Sequence, residues 1–333
     1  LNTLVARPGI AEIDPYVGGE SAIKGRDRVV KLASNEGALG PSPKAVAAYV
    51  EAAQSMHRYP DGACVALRSA LAERYGLDRD RIVCGAGSDE LLSLLCRAYA
   101  GPSDEVLYSE HGFLIFPIAA RAVGATPVTA PEAKRTVDVD AVLARVSEKT
   151  RVVFIANPNN PTGTYLSAAE MRRLKDGLSD SVLLVVDAAY AEYVERDDYE
   201  PGIELVDSAA TVVMTRTFSK IHALGGLRLG WCYAPPAVVD VLNRIRLPFN
   251  VSRAAQAAGL AALADVAFTE GSLRHNTKWR AWLTERLRGL GLIVGDSVCN
   301  FVIVQFPATP DRDAAAADAF LKARGLIARR LGG

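Results

Sequence analysis

VLLVVDAAY, residues 182–190, is the stretch on which the fold turns. Five aliphatic residues in succession, with no polar alternation, describe a strand buried on both faces, and the aspartate marks its end. Upstream, RVVFIANP (151–158) has the same texture, and the amphipathic AAEMRRLKDGL lies between the two. Downstream come TVVMTRTFS (211–219) and LRLGWCYA (227–234). Farther back, RIVCG (81–85) and EVLYS (105–109) also read as strands, with the helical LLSLLCRAYA between them. Short apolar strands alternating with helices predict an α/β chain with a mostly parallel sheet covered by helices. In such sheets ligands collect at the carboxyl ends of the strands.

Outside this region the texture changes. Residues 1–42 are rich in Gly and Pro and read as an arm lying on the rest, contributing to a smaller domain. Helical patterns begin at KAVAAYVEAAQ and ACVALRSALAERYG, the latter ending at Gly76. Residues 43–247 form the expected large domain. Residues 248–333 form a small one: AAQAAGLAALADVA and TKWRAWLTERLRGLG as helices, NFVIVQF (300–306) as a strand, and AAAADAFLKARG as a last helix.

Half of the 333 residues are hydrophobic, more than one core usually accommodates. Lysine plus arginine balance aspartate plus glutamate at 38 each. That neutrality gives no electrostatic reason to expect nucleic acid or an anionic membrane as partner. The five cysteines are scattered and show no C-x-x-C spacing, so they read as reduced packing residues rather than a disulfide framework or a zinc site. No apolar run reaches spanning length, and the start LNTLVARPGIAEIDPY lacks the pattern of a signal peptide. A cytoplasmic location is expected.

The chemistry gathers where strands end. In TRTFSKIHALGGLRLGW, Lys220 follows the hydroxyls of Thr217 and Ser219 and precedes Arg228 in a Gly-rich run. Hydroxyls, an arginine and small residues make a phosphate cradle. A lysine beside a cation and partly out of water becomes a competent amine nucleophile, as imine formation with an aldehyde requires. Asp187 closes an apolar strand and needs a cationic or donor partner. A protonated pyridine nitrogen would serve, and Tyr190 would then reach the ring's phenolate oxygen. NPNNPTG (157–163) is a turn leaving a strand, from which an asparagine amide could donate to that same oxygen. In CGAGSDELLSLL a helix begins near Ser88, a candidate N-cap, where free backbone N–H groups suit an anion. Phe113 or Phe116, in EHGFLIF (110–116), could stack on a flat ring or belong to the core.

Together KLASNEGALGPSP, RYPDG, GAGSDELL, NPNNPTG, VVDAAY and TFSKIHALGGLRLGW resemble the fold-type-I class I/II aminotransferases, and within them the histidinol-phosphate aminotransferase family. The resemblance runs from about Ile13 to the last residue. It implies a three-layer large domain and a smaller α+β domain, with pyridoxal 5'-phosphate held covalently by Lys220. It further implies that Asp187 pairs with the pyridine nitrogen and that Tyr190 and Asn160 contact the phenolate oxygen. Ser88 and Asp89 (through backbone), Thr217, Ser219 and Arg228 would hold the phosphate, and Phe113 would stack on the ring. Tyr59 matches a residue that reaches the neighbouring subunit's cofactor, which implies a homodimer. Tyr16, Asn35 and Arg329 match the substrate side, with Arg329 a candidate for a substrate phosphate.

The sequence departs from the family in three places. D-E-A-Y appears as Asp187, Ala188, Ala189 and Tyr190, and the replaced glutamate is not expected to touch the cofactor. N-E-N-P appears as Asn35, Glu36, Gly37 and Ala38. The family continues into L-R-[IVL]-[ST]-x-G, whose arginine binds the substrate; the sequence given stops at RRLGG, and the expectation is that it omits that tail. The implied reaction moves an amino group between a small-molecule donor, usually glutamate, and a keto acceptor. Rival readings on the same cofactor are an aromatic (phenylalanine) aminotransferase, a decarboxylase of the threonine-phosphate type, and a regulatory protein that binds pyridoxal phosphate without turnover.

Overall fold

In the computed structural model, which describes residues 4–331, the six apolar runs become strands of one seven-stranded sheet. In chain order its strands are β1 Ile82–Gly85, β2 Glu105–Ser109, β3 Thr126–Ala130, β4 Thr150–Ala156, β5 Leu183–Asp187, β6 Val212–Thr217 and β7 Gly230–Tyr233. Across the sheet they lie β1-β7-β6-β5-β4-β2-β3. Every pairing is parallel except those of β7, which runs against both β1 and β6. The expected mostly parallel sheet is therefore present.

The strands alternate strictly between two cores. Val153, Ile155, Leu184, Val186 and Met214 face one, packed against helices Val65–Tyr75, Ala168–Gly177 and Arg253–Ala264. Val152, Phe154, Leu183, Val185 and Val213 face the other, packed against Ser88–Tyr99, Ile115–Ala122 and Pro236–Ile245. Burial on both faces explains the unbroken aliphatic runs and gives three layers.

Local signals set several boundaries. Ser42 caps the helix Pro43–Ala53 by accepting from the Lys44 N–H, with proline at the first helical position. Gly76, at φ 67°, closes Val65–Tyr75 in the left-handed conformation glycine tolerates. The expected helix AAQAAGLAALADVA breaks at Asp265, whose carboxylate bonds the Ser42 hydroxyl and Lys44 Nζ, and a 24-residue helix, Val266–Gly289, continues.

The arm joins the far end of the chain: Val30–Lys31 pairs in parallel with Leu326–Ile327. Two expectations need correction. NFVIVQF is not one strand; only Val304–Gln305 pairs, with Ile293–Val294, and residues 299–303 run irregularly. The edge strand Thr126–Ala130 was not foreseen, because TPVTA carries a proline and lies at the rim, where a missing N–H is tolerated. No helix among the described residues is long and apolar enough to cross a membrane, and all five cysteines are buried and unpaired.

Candidate active site

The carboxyl ends of β1, β2, β4, β5 and β6 open on one edge of the sheet. Because β7 is antiparallel, its first residues lie at that edge too: Gly230 stands opposite Thr217 of β6 and Gly85 of β1. The sheet therefore brings Ser88, Phe113, Asn160, Asp187, Lys220 and Arg228 to one end from five separate strand exits, Lys220 and Arg228 sharing the segment between β6 and β7.

Asp187 is buried, and the Thr215 hydroxyl donates to its Oδ1 at 3.0 Å. Burial pushes its carboxyl from 3.8 up to about 7; the Thr215 bond and the Lys220 charge only partly offset that. The site thus contains a carboxylate short of a cation. Burial also lowers the Lys220 ammonium, with a smaller push from Arg228 and opposition from Asp89 and Asp187. Lys220 Nζ lies 5.4 Å from the centre of the Tyr190 ring. Tyr190 is buried, and its hydroxyl accepts from Asn35 Nδ2 at 3.0 Å.

At the helix start Ser88 is the first helical residue, not the cap. The cap is Gly87 at φ 84°, and no side chain satisfies the first-turn N–H groups. A side chain on Gly87 would strike the Arg228 guanidinium, and one on Gly230 would strike the Ser88 nitrogen. Bare backbone is what close approach of an anion to these amides demands. Arg228, itself at φ 52°, donates to Asp89 Oδ2 at 2.9 Å and to Ser219 Oγ at 3.5 Å. The Thr217 hydroxyl donates to Ser219 Oγ at 3.0 Å.

The structure separates candidates that the sequence left together. In NPNNPTG the Asn157 side chain clamps Leu166, and Asn159 Nδ2 donates to the His111 carbonyl and the Thr162 hydroxyl. Asn160 makes no side-chain hydrogen bond among the described residues, which leaves its amide available. Phe116 is core, stacked on Phe154 at 4.6 Å, whereas Phe113 sits half-buried at the margin, edge-on to Phe116.

Three candidates stand apart from Lys220. Tyr59 is 78 % exposed and stacks on Phe249 at 4.7 Å. Tyr16 is exposed, and the exposed Arg329 donates to the neighbouring Val17 carbonyl at 3.4 Å. Sequence reasoning passed over Thr215, although the two-residue period of β6 places it on the face of Thr217. Nor does the sequence announce the ion pair on the opposite face, the buried Arg216 and the partly buried Glu192, 2.7 Å apart.

The pyridoxal phosphate expected from the sequence fits these residues. The under-compensated Asp187 suits a protonated ring nitrogen, the depressed Lys220 amine suits an aldehyde, and the first-turn amides from Ser88, flanked by Gly87 and Gly230, suit a phosphate.

Known proteins agree with this arrangement. The sequence profile described as aminotransferase class I and II matches residues 27–331. The chain is 61 % identical, over 327 residues, to the histidinol-phosphate aminotransferase of Paramagnetospirillum magneticum, covering 98 % of this chain and 90 % of that one. It is 60 % identical, with the same coverage, to the enzyme of that name from Rhodospirillum centenum. A solved histidinol-phosphate aminotransferase from Sinorhizobium meliloti, in complex with pyridoxal-5'-phosphate, superposes with a TM-score of 0.91 at 29 % identity, over 100 % of this chain and 91 % of that one.

Proposed function

The chain belongs to the class I and II aminotransferases, and we propose that it moves the amino group of L-glutamate to imidazole-acetol phosphate, giving L-histidinol phosphate and 2-oxoglutarate. The observation that carries the chemistry is the buried, under-compensated Asp187 in one cleft with the desolvated amine of Lys220. The choice of substrate is supported by the shared name of relatives at 61 % and 60 % identity.

Pyridoxal phosphate, when bound, supplies an electron sink that makes the α-proton of an amino acid acidic. The protein's groups do the rest. Lys220 would hold the cofactor through its amine and, once free, would be the base that moves a proton between the substrate α-carbon and C4′. Asp187 keeps a proton on the ring nitrogen. Tyr190 and Asn160 bind the phenolate oxygen. The backbone of Ser88 and Asp89, with Thr217, Ser219 and Arg228, would hold the phosphate, and Phe113 would stack on the ring. Tyr16, Asn35 and Arg329 belong to the substrate side, Arg329 toward the substrate phosphate. We place the cofactor domain at 43–247, the smaller domain at 248–333 and the arm at 1–42. In a homodimer Tyr59 reaches the partner's site.

Absorbance of the purified protein loaded with pyridoxal phosphate tests this reading. Histidinol phosphate is expected to bleach the visible band, and phenylalanine to leave it. Bleaching by phenylalanine alone would move the specificity to aromatic amino acids. Lys220→Ala is expected to abolish the borohydride-reducible adduct; an adduct that survives would remove Lys220 from the centre of the site.

A further inference from the structure

Asn300 and Phe301 were expected to open a strand, and instead they form, with Cys299, an irregular strap along the cleft. The strap is tied to the long helix: the Cys299 carbonyl accepts from Asn276 Nδ2 at 3.2 Å and from Arg280 Nη1 at 2.9 Å. Cys299 is buried in one cluster with Ala189, Tyr190, Tyr193 and Ile221. Phe301 meets the Tyr190 ring edge-on, centroids 5.3 Å apart. Between them, Asn300 Nδ2 donates to the Asn35 carbonyl at 3.0 Å and to the Glu36 carbonyl at 3.4 Å.

Asn35 is the link to the chemistry. Its φ of 51° lies in the left-handed region, which asparagine tolerates better than most residues but which still has to be held by its surroundings. In that conformation its carbonyl turns to Asn300 while its side chain donates to the Tyr190 hydroxyl. A tyrosine hydroxyl has a single hydrogen. Once Asn35 donates to its oxygen, that hydrogen is left for a different acceptor, and Tyr190 Oη makes no second hydrogen bond among the described residues.

We infer that Asn300 is a positioning residue: by gripping the Asn35 carbonyl it fixes the Asn35 amide as a donor to Tyr190, and so turns the tyrosine into a donor toward the cofactor's phenolate oxygen. This rests on pyridoxal phosphate occupying the cleft. The strap thereby couples the long helix to the cofactor's electronic state, with Asn300 acting through Asn35 and Tyr190. The ionisable groups facing Tyr190 are Asp187, Cys299 and Tyr193, with Lys220 over its ring.

The test is a pH titration of the visible band of the cofactor-loaded protein. A donor on the phenolate oxygen draws off negative charge that would otherwise hold a proton on the Lys220 nitrogen. Tyr190→Phe is therefore expected to raise the titration midpoint by roughly 0.5–1 pH unit. Asn300→Ala is expected to raise it in the same direction by less. The double variant should shift no further than Tyr190→Phe alone, because both act on one interaction. Asn300→Ser keeps a small polar residue but cannot span to both carbonyls; it should shift the midpoint likewise, and it covers an alanine variant that does not fold. An unchanged midpoint in the Asn300 variants, or shifts that add in the double variant, overturns the inference. A wild-type protein with no pH-dependent visible band overturns the cofactor reading itself, and this inference with it.

Discussion

Burial holds the Asp187 carboxyl at about 7 against an ordinary 3.8, so the folded, cofactor-free chain keeps a proton that the unfolded chain has released. Stability therefore falls as pH rises from about 4 to 7, by up to about 4 kcal/mol, and stays reduced above that window. His222 works in the opposite sense. Burial lowers it from 6.5 to about 4, so the unfolded chain binds the extra proton there and stability rises with pH. Only a difference between variants isolates Asp187. Melting temperatures of cofactor-free wild type and Asp187→Asn at pH 5 and pH 8 should diverge, the variant being the more stable at pH 8. Equal slopes in the two proteins would sink the argument. With cofactor the order should invert, since the variant has no carboxylate for the ring nitrogen, and turnover should fall at least a hundredfold, as about 3 kcal/mol of lost transition-state stabilisation implies. Asp187 was legible because a charged residue closing an apolar strand is chemically conspicuous, and Lys220 because hydroxyls, glycines and an arginine surround it in the sequence. Asn300 was not. It sits in an apolar run that reads as a strand, and its task is defined by a carbonyl 265 positions away in the chain.

Strand β6 shows what alternation does to a single element. Thr215 and Thr217 serve the cleft, while Arg216 lies on the other face, its guanidinium 4.5 Å from the Tyr75 ring centre and 5.6 Å from Trp231. Its partner Glu192 belongs to the 3-10 turn Ala191–Tyr193 that follows Tyr190. The pair thus pins the turn carrying Tyr190 to the strand leading to Lys220. Glu192→Ala leaves a buried guanidinium without its counter-ion and should cost about 3–5 kcal/mol in denaturant unfolding. Glu192→Leu combined with Arg216→Met should cost less than the sum of the single changes; strict additivity would mean the two residues act separately. At the start of β7, Gly230→Ala drives a methyl against the Ser88 nitrogen. It should weaken pyridoxal phosphate binding about tenfold or more in a fluorescence titration, as a 1.4 kcal/mol displacement of the cradle implies. The strands themselves were readable because burial on both faces writes them as aliphatic runs. Thr126–Ala130 escaped because an edge strand is half-polar, and 300–303 was misread because Phe301 packs against Tyr190 rather than on a sheet.

For the whole molecule, the arm and the C-terminal segment meet through Val30–Lys31 and Leu326–Ile327, far apart in sequence, so the meeting of Val17, next to Tyr16, with Arg329 could not be assembled from local patterns. The same holds for Tyr59, whose ring stacks on Phe249 at the surface within one chain. Val46, Tyr49 and Val50, one exposed face of the helix Pro43–Ala53, lie in sequence near Met56 and Tyr59, all 42–80 % exposed. An apolar surface of this kind suits a second copy of the chain. If Tyr59 completes the partner's site, two defective proteins can restore one another. A Lys220→Ala dimer has no active site, and a Tyr59→Ala dimer has weakened ones. In a hybrid, one cleft joins Lys220 from the second protein to Tyr59 from the first and is fully wild type. Equal mixing with free subunit exchange makes about half the dimers hybrid, each with one intact cleft, so about a quarter of the clefts should recover wild-type cofactor affinity and rate. Equilibrium cofactor binding and single-turnover rates, measured before and after exchange, read that fraction directly. If the mixture equals the average of its parents after complete exchange, Tyr59 does not cross between subunits.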